Sequence, residues 1–366
     1  MKPTVSVIIS AYKTEAYLPR CLDSLLKQTY KDFNVILVDN ASPDSVPEIC
    51  DKYAETDARF HVIHNKINIG VGDGRNTGIN YMFQNAPTDY VTFLDSDDWI
   101  HESFLEKLVD VAEKQNVDIV FCSHNHCKTI DDTLKFSDYN FIPTKYNNSE
   151  NFWVDTLHCL AYCIGRLFRS ELFRDIRFPK SGLDDERTTY KAVLAAKSIA
   201  TIPAKLYNYF INESSYMHSQ WSVEKKINQL NAPYESLEYL YNHGYQKTFF
   251  KQLHTYFYYA RCAFLDYSND CQFEELLTNL KENLINATIK YCDWLPYNKA
   301  KKIYNSEVKN FIKYVYNLKK HEDKRLRTKL QAIKWRLRAN RILLHKNKIF
   351  TKKAKLKYLN AIQNKR

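Results

Sequence analysis

The sequence predicts an α/β protein with a mainly parallel central sheet, followed by an α-helical C-terminal region. Strand-like and helix-like segments alternate through the first hundred residues, and the strand-like segments are continuous apolar runs. Such runs are typical of parallel strands that helices cover on both faces of the sheet. From Ser222 to about Leu318 the segments become longer, with few glycines and with Tyr, Phe and Leu at helical spacing, which predicts helices.

Four strands and three helices are expected in the first hundred residues. The strands are predicted at Val5–Ile9, Val35–Val38, Phe60–Ile63 and Tyr90–Leu94, and the helices near Ala16–Gln28, Ser45–Glu55 and Gly74–Gln84. A further strand is predicted at Asp118–Cys122. Ligands of open α/β sheets bind beyond the carboxyl ends of the strands, so the polar residues that follow each strand mark the expected site.

Three carboxylates, Asp95, Asp97 and Asp98, follow the fourth predicted strand within four residues. Carboxylates this close repel one another unless a cation neutralises them, and a divalent metal that carries a phosphate substrate would do so. The alternative is structural: Asp97 or Asp98 would cap the amino terminus of a helix that begins near His101. The cluster alone does not decide between the two.

The segment Asn68–Gly78 holds four of the seven glycines of the chain. Glycine permits positive φ angles and a close approach of the backbone to a ligand, and Arg75 and Asn76 could meet a phosphate or carboxylate there. The segment lacks the Gly-Lys-Ser/Thr of a Walker loop, and it follows the third strand rather than the first, which argues against a dinucleotide fingerprint. A plain loop with a helix cap is the alternative.

Five motifs resemble, in order and spacing, those of family 2 glycosyltransferases with the GT-A fold. They are Ser6–Tyr12, Leu18–Tyr30, Val35–Ser42, Asn68–Gly78 and Phe93–Asp98. The resemblance covers roughly residues 4–215 and implies a GT-A nucleotide-binding fold. It also implies an inverting enzyme that uses Mn²⁺ or Mg²⁺ to move a sugar from a nucleotide sugar, such as a UDP-sugar, to a hydroxyl group.

The resemblance gives each polar cluster a role. Asp97 would bind the metal, with His218 as a further ligand. Asp39 would accept a hydrogen bond from the uracil ring, Arg75 would lie near the base or the diphosphate, and Asp95 would contact the ribose or metal-bound waters. The implied donor-binding residues are Ala11, Tyr12, Glu15, Asp39, Asn68, Arg75, Asp95 and Ser96.

A second acidic cluster, Asp184-Asp185, opens a predicted helix that runs to about Ala196. The family usually carries Glu-Asp here, and the second member is the catalytic base that takes a proton from the acceptor hydroxyl. The resemblance therefore implies Asp185 as the base, while the unusual Asp184 leaves open which of the two carboxylates acts. The structural alternative is that acidic residues favour the first turn of any helix.

Three parts are expected along the chain: a catalytic domain at 1–218, with a nucleotide-sugar half at 1–100 and an acceptor half at 101–218, a helical extension at 219–318, and a basic helical tail at 319–366. The tail carries eighteen Lys and Arg against two acidic residues, so the net charge of +11 becomes −5 over the preceding 318 residues. Cationic helices of this kind lie on anionic membrane surfaces. A solvated face or a homo-oligomer helix is the alternative.

Cysteine usage favours a cytoplasmic protein, which the tail would hold at the inner face of the plasma membrane. The nine cysteines include no Cys-x-x-Cys pair, and no signal-peptide pattern precedes the first strand. Cys122, His124 and His126 alternate along a strand, and a zinc site there is disfavoured because no second ligand pair lies at zinc spacing. The polar loop at 128–150 is expected to frame the acceptor.

The predicted function is glycosyl transfer to a glycan, lipid-linked or polyol-phosphate acceptor in bacterial surface-polymer synthesis. A nucleotidyltransferase would share the nucleotide pocket but needs a basic signature motif near its first strand, which Tyr12–Arg20 lacks. A non-catalytic protein that binds membrane or nucleic acid through the tail would leave both acidic clusters unexplained. Nucleic acid is not an expected partner, because the tail contains no recognition module.

Overall fold

The computed structural model describes residues 2–129, 142–156, 162–180, 182–211 and 223–246, with single positions beyond them at 248, 249, 252, 256 and 283. Residues 1–256 form one compact unit, and residues 257–366 form a second. His218, the basic tail at 319–366 and most of the predicted loop at 128–150 lie outside the described residues.

Strands and helices alternate through the described part of the first unit. The strands are β1 (Val5–Ala11), β2 (Phe33–Asp39), β3 (Phe60–His64), β4 (Tyr90–Phe93), β5 (Trp99–Ile100), β6 (Ile119–Cys127), β7 (Thr144–Tyr146), β8 (Arg166–Arg169) and β9 (Ile199–Phe210). The helices are α1 (Leu18–Leu26), α2 (Val46–Thr56), α3 (Val71–Asn85), α4 (Phe104–Gln115), α5 (Ser149–Thr156), α6 (Asp184–Ala195) and α7 (Val223–Asn242). All four strands predicted in the first hundred residues are present.

The described strands form one sheet in the order β3-β2-β1-β4-β8-β6-β9-β5, with β7 paired to β9. β3, β2, β1 and β4 are parallel neighbours, so their carboxyl ends lie at one edge. β8 runs antiparallel between β4 and β6, which makes β6 parallel to β4, and β9 is parallel to β6. The carboxyl ends of β1, β2, β4, β6 and β9 therefore all face the same edge of the sheet.

Burial explains why the first strands are continuous apolar runs. Val5, Val7 and Ile9 point to one face of β1, Ile8 points to the other, and none of the four is more than 1% exposed. A strand buried on both faces needs apolar side chains at consecutive positions. Helix α1 covers the sheet through Leu18, Cys21, Leu22 and Leu25, which recur with helical periodicity and are buried.

Most of the glycine-rich segment forms the first turns of a helix. Helix α3 begins at Val71, before the predicted start near Gly74, and only Gly70 of the segment has a positive φ, of 88°. A Cβ atom on Gly72 would lie 2.2 Å from the carbonyl oxygen of Pro179, and one on Gly78 would lie 2.5 Å from Cγ2 of Ile8. The glycines therefore let α3 pack closely against β1 and against the segment that leads to α6.

Helix α4 does not use the acidic cluster as a cap. It begins at Phe104, its N-cap is Ser103, and no side chain caps it. The alternative in which Asp97 or Asp98 caps a helix from about His101 is therefore wrong. Among the described helices, none combines the length and the apolar character needed to cross a bilayer.

Candidate active site

The candidate site lies at the edge where the parallel strands end. Asp39 is the last residue of β2, and Asp95–Asp98 follow β4 directly. Asp184 and Asp185 are the first two residues of α6, and Arg75 lies in the second turn of α3. The close packing of α3 through its glycines brings Arg75 to the acidic residues of the other two elements.

A single guanidinium joins three of the predicted site carboxylates. Nη2 of Arg75 lies 2.7 Å from Oδ1 of Asp95, and Nη1 lies 2.6 Å from Oδ1 of Asp185. The same Nη1 also donates to Oδ2 of Asp184. Arg75 is 5% exposed, so one buried positive charge faces three negative ones, of which Asp95 is the most exposed.

The electrostatics of this cluster follow from burial and charge imbalance. Burial raises the pKa of Asp184 to about 6; Arg75 opposes this shift, while Asp185 and Asp95 add to it. Burial also raises the pKa of Asp95, again against the influence of Arg75. Burial acts to lower the pKa of Arg75, but the surrounding acidic groups raise it well above its ordinary value. The cluster therefore favours binding of a further cation.

Asp185 has a second neighbour that the sequence did not indicate. The backbone N–H of Cys163 donates to Oδ2 of Asp185 over 3.1 Å, and Sγ of Cys163 lies 3.1 Å from Oδ1. Cys163 is fully buried. It precedes β8 and lies 22 residues from Asp185, so no sequence motif connects the two residues.

Asp98 has a structural role in the acidic cluster. Its Oδ2 accepts a hydrogen bond of 2.6 Å from the hydroxyl of Tyr207, and its Oδ1 accepts one of 2.7 Å from the backbone N–H of Phe210. Asp98 is 1% exposed, and burial together with Asp95 and Asp97 raises its pKa well above the ordinary value. It links the end of β4 to the end of β9.

Arg20 was not identified from the sequence, and it supports the same acidic loop. Its guanidinium lies 3.9 Å from the ring centroid of Trp99 and 4.7 Å from that of Phe210. Its Nη2 donates to the backbone oxygen of Asp97 over 2.7 Å. The position of Asp97 is thus fixed through its main chain by α1, which leaves the orientation of its carboxylate to other contacts.

Asp39 lies in a separate cluster at the end of β2. Its Oδ1 accepts a hydrogen bond from the backbone N–H of Ser42, and its Oδ2 lies 2.9 Å from Nδ1 of His64. The other ring nitrogen of His64 lies 3.1 Å from Oδ1 of Asp51. The hydrogen bond to Asp39 raises the pKa of His64 against the effect of burial, and Asp51 adds to the rise.

The remaining predicted donor residues lie at or after the carboxyl ends of β1, β3 and β4. Asn68 accepts hydrogen bonds from the side chain of Asn40 and the backbone of Gly70. Oε2 of Glu15 accepts one of 3.0 Å from the backbone N–H of Ser45. Ala11 ends β1 and is fully buried, Tyr12 is 37% exposed, and Ser96 is buried. Of the predicted donor residues, Asp39 thus lies in one hydrogen-bonded cluster, with His64, and Arg75 and Asp95 lie in another.

The carboxylates at the end of β4 suit Mg²⁺ or Mn²⁺ only if a ligand from outside the protein completes the coordination. Among the described residues, no three His, Cys, Asp or Glu side chains are grouped as metal ligands. The side chain of Asp95 is 35% exposed, and Asp97 is partly exposed beside it. Magnesium sites commonly take one or two carboxylates and complete their coordination with substrate phosphates. These residues therefore suit a metal that arrives with, or is completed by, a phosphate ligand.

The alternating residues Cys122, His124 and His126 lie in β6, which extends to Cys127. Nε2 of His124 lies 3.2 Å from Nε2 of His126, and Sγ of Cys122 donates to the backbone oxygen of Gly165. No third described ligand joins the two histidines. The described residues therefore do not support a zinc site at these three positions.

Comparison with known proteins gives the family. Residues 6–177 match the model of glycosyl transferase family 2. The chain is 31% identical over 256 residues to EpsJ of Bacillus subtilis (strain 168), an uncharacterized glycosyltransferase, and this match covers 66% of the chain and 71% of EpsJ. It is 32% identical over 222 residues to the B. subtilis glycosyltransferase EpsH, covering 58% of the chain and 62% of EpsH.

A third relative is longer. The chain is 30% identical over 251 residues to the glycosyltransferase GlyA of Streptococcus pneumoniae serotype 4 (strain ATCC BAA-334 / TIGR4), covering 66% of the chain and 35% of GlyA. The chain thus spans less than two thirds of EpsH and about a third of GlyA.

A solved structure gives the fold. The crystal structure of S. aureus TarS 1–349 in complex with UDP-GlcNAc superposes with a TM-score of 0.65, at 21% identity, over 87% of this chain and 92% of TarS 1–349. The expected α/β class and GT-A fold are confirmed. The match to the family model and the match to EpsJ show that the chain belongs to glycosyl transferase family 2.

Proposed function

We propose that the protein transfers a sugar from a UDP-sugar to an acceptor hydroxyl, with inversion at the anomeric carbon. The observation that carries this proposal is the buried Arg75, which gathers Asp95 from the end of β4 and Asp184 and Asp185 from the start of α6. Three carboxylates on one guanidinium leave an excess of negative charge at the edge of the sheet. Family membership makes a nucleotide sugar with its cation the natural ligand for that edge.

The donor would bind across the two clusters. Asp39 would accept a hydrogen bond from the N–H of the uracil ring, with Ala11, Tyr12, Glu15 and Asn68 around the base and ribose. Asp95 would contact the ribose or metal-bound waters, with Ser96 beside it. Asp39 supports this role because Ser42 and His64 hold its carboxylate in one orientation. TarS, which shares the fold, was crystallised with UDP-GlcNAc, so UDP-GlcNAc is the first donor to test.

Asp185 would act as the general base and Asp97 as the metal ligand, with His218 as a further candidate ligand. A bound Mg²⁺ or Mn²⁺ would supply positive charge to the leaving diphosphate. Asp185 would take the proton of the acceptor hydroxyl while that oxygen attacks the anomeric carbon opposite the leaving group. Asp185 is favoured over Asp184 because its side chain is more exposed, 17% against 12%.

The acceptor would be a hydroxyl of a glycan, lipid-linked or polyol-phosphate chain in bacterial surface-polymer synthesis. Two further relatives in B. subtilis are named for minor teichoic acid and teichuronic acid biosynthesis, at 26% and 25% identity. In this proposal residues 1–218 carry catalysis, residues 219–318 form a helical extension, and the basic tail holds the protein at the inner face of the plasma membrane or joins protomers.

Release of UDP from UDP-GlcNAc and other UDP-sugars, with Mn²⁺, with Mg²⁺ and with EDTA, tests the proposal directly. We expect metal-dependent release in the intact protein. Asp185→Asn should lower kcat by roughly 10²–10⁴-fold, the usual contribution of a positioned general base. Asp97→Ala should raise the metal concentration needed for half-maximal rate.

Asp110→Asn is the matched control, because Asp110 is an exposed carboxylate of α4 that pairs only with Lys114 among the described residues. It should retain the full rate. The proposal fails if the intact protein neither binds nor hydrolyses any UDP-sugar with either metal. Release of inorganic pyrophosphate from a nucleoside triphosphate and a sugar phosphate would instead establish the nucleotidyltransferase alternative.

A further inference from the structure

The carboxylate of Asp185 is surrounded by three hydrogen-bond donors from two residues. Its Oδ1 accepts from Nη1 of Arg75 at 2.6 Å and lies 3.1 Å from Sγ of Cys163. Its Oδ2 accepts from the backbone N–H of Cys163 at 3.1 Å. We call Arg75 and Cys163 the cradle of Asp185.

The number of donors limits where a proton can go. An ionised carboxylate offers about four acceptor positions, two on each oxygen. The cradle fills both positions on Oδ1 and one on Oδ2. Among the described residues no other donor bonds to this carboxylate, so one acceptor position remains, and it belongs to Oδ2.

We propose that Arg75 and Cys163 are positioning residues that leave Oδ2 of Asp185 as the atom that receives the acceptor's proton. This inference rests on the proposed function. In the step, the O–H bond of the acceptor breaks and its proton bonds to Oδ2, while the acceptor oxygen bonds to the anomeric carbon. The bond between that carbon and the diphosphate oxygen breaks, and its electron pair leaves with the diphosphate.

The thiol of Cys163 is suited to donate. Burial raises its pKa well above the ordinary value; Arg75 opposes this rise, and Asp185 adds to it. The thiol therefore stays protonated over the pH range in which enzymes work. Its hydrogen can be donated to a nearby acceptor such as Oδ1 of Asp185. Its hydrogen bond is weak individually, but it fixes the rotation of the carboxylate about its Cβ–Cγ bond.

Asp184 shares one guanidinium nitrogen of Arg75 with Asp185. Nη1 of Arg75 has two hydrogens, and it donates to Asp184 and to Asp185. Nη2 is held by Asp95. Asp184 and Asp95 thus hold the guanidinium of Arg75 beside Asp185.

Two substitutions at Cys163 test the inference. Cys163→Ala removes the thiol donor but keeps the backbone N–H, and kcat for UDP release should fall by about tenfold, as expected when a hydrogen bond to an ionised group is lost. KM for the UDP-sugar should change less than about twofold, because the described hydrogen bonds of Cys163 go to Asp185 and to none of the residues assigned to the donor. Cys163→Ser keeps a donor at the same position and should recover most of the rate.

Arg75→Lys tests the other half of the cradle. Lysine keeps the charge but cannot form the fixed fork that reaches three carboxylates. We expect a fall in kcat at an unchanged KM for the UDP-sugar. A rise in KM at an unchanged kcat would instead make Arg75 a donor contact and would overturn its positioning role.

Cys50→Ala is the matched control, because Cys50 is equally buried but lies in α2, away from Asp185. It should keep kcat even if the thermal midpoint falls. Full activity of Cys163→Ala, or equal losses in the Ala and Ser variants at matched thermal midpoints, would refute the cradle. If Asp185→Asn is inactive in the same series, the proposed function survives that result. An intact protein that neither binds nor hydrolyses any UDP-sugar with either metal would refute the function itself.

Discussion

Arg75 is the residue on which the site depends. Its guanidinium is the one cation that contacts Asp95, Asp184 and Asp185 among the described residues. Removing one partner from a buried ion pair is more harmful than exchanging the whole pair for apolar groups, since an uncompensated charge is left behind. Neutral substitutions of Arg75 therefore threaten folding as well as activity, and only the charge-conserving Lys variant separates the two effects.

The contact of His64 with Asp39 predicts that the stability of the protein depends on pH. The hydrogen bond to Asp39 raises the pKa of His64 in the folded protein, so the protonated form stabilises the fold. This contribution is fully present below the ordinary pKa of about 6.5 and is lost as pH rises through the higher folded value. The free energy of unfolding should therefore fall from pH 6 to pH 8.5.

Urea unfolding at the two pH values measures that fall, and His64→Gln should reduce it. His61→Gln is the matched control, because His61 lies on the same strand without an ion pair among the described contacts of β3. An undiminished pH dependence in His64→Gln would show that His64 is not its source. The side chain of His64 is 42% exposed, so solvent screening keeps the effect small.

The sequence identified the carboxylates of the site and Arg75, but it missed their other partners. Asp39, Asp95, Asp184 and Asp185 stand out because acidic residues interrupt apolar strands or begin a helix. Cys163, His64 and Tyr207 do not stand out, because each is an ordinary residue whose partner lies 22, 25 and 109 positions away. Only the pairing of strands and helices brings such residues together.

At the scale of elements, helix α3 determines how closely the two halves of the site approach. The glycines at 72, 74 and 78 lie along the helix, and each faces a neighbouring atom too closely for a Cβ. The sequence indicated that this concentration of glycine mattered. It did not indicate the reason, because a glycine near a ligand and a glycine in a tight helix contact look the same until the packing partner is known.

Gly72→Ala should damage both stability and activity. The added Cβ would lie 2.2 Å from the carbonyl oxygen of Pro179 and 3.2 Å from Cβ of Asp184, so backbone would have to move. Overpacking of this kind costs about 1–3 kcal/mol, against a gain of up to about 1 kcal/mol in helix propensity. We expect a net loss of about 1–2 kcal/mol in the free energy of unfolding, together with a lower kcat.

Gln84→Ala is the control, because Gln84 is exposed on the same helix and its replacement leaves the packing unchanged. Chemical denaturation should show little change there. A Gly72→Ala protein that is more stable than the parent would mean that helix propensity outweighs the contact with Pro179, and the packing role assigned to Gly72 would have to be withdrawn.

At the scale of the molecule, helix α7 belongs to the same compact unit as the candidate site, which extends to Tyr256. Arg187 of α6 forms a two-bonded ion pair with Glu235 of α7, at 2.7 and 2.6 Å. The rings of Tyr190 and Tyr239 pack edge to face, and Leu237 and Leu240 are fully buried. Because α6 carries Asp184 and Asp185, the packing of α7 against α6 stabilises the helix that positions this acidic pair.

This packing predicts different outcomes for two shortened chains. A chain of residues 1–256 keeps α7 and should fold and release UDP from a UDP-sugar, whereas a chain of residues 1–218 exposes the α7-facing side of α6 and should unfold at a lower temperature, with little activity. Thermal unfolding and UDP release compare the two. Equal stability of both would show that the extension proposed to begin at 219 is independent of the catalytic domain.

A chain of residues 1–318 isolates the contribution of the basic tail. It removes eighteen Lys and Arg and two acidic residues, so the net charge changes from +11 to −5. Each basic residue near an anionic surface is worth about 1 kcal/mol, and the attraction is screened by salt. The full chain should therefore sediment with phosphatidylserine-containing vesicles at low salt and dissociate as salt is raised, while the shortened chain stays in the supernatant and still releases UDP. Vesicle binding that survives removal of the tail would place the membrane contact elsewhere in the protein.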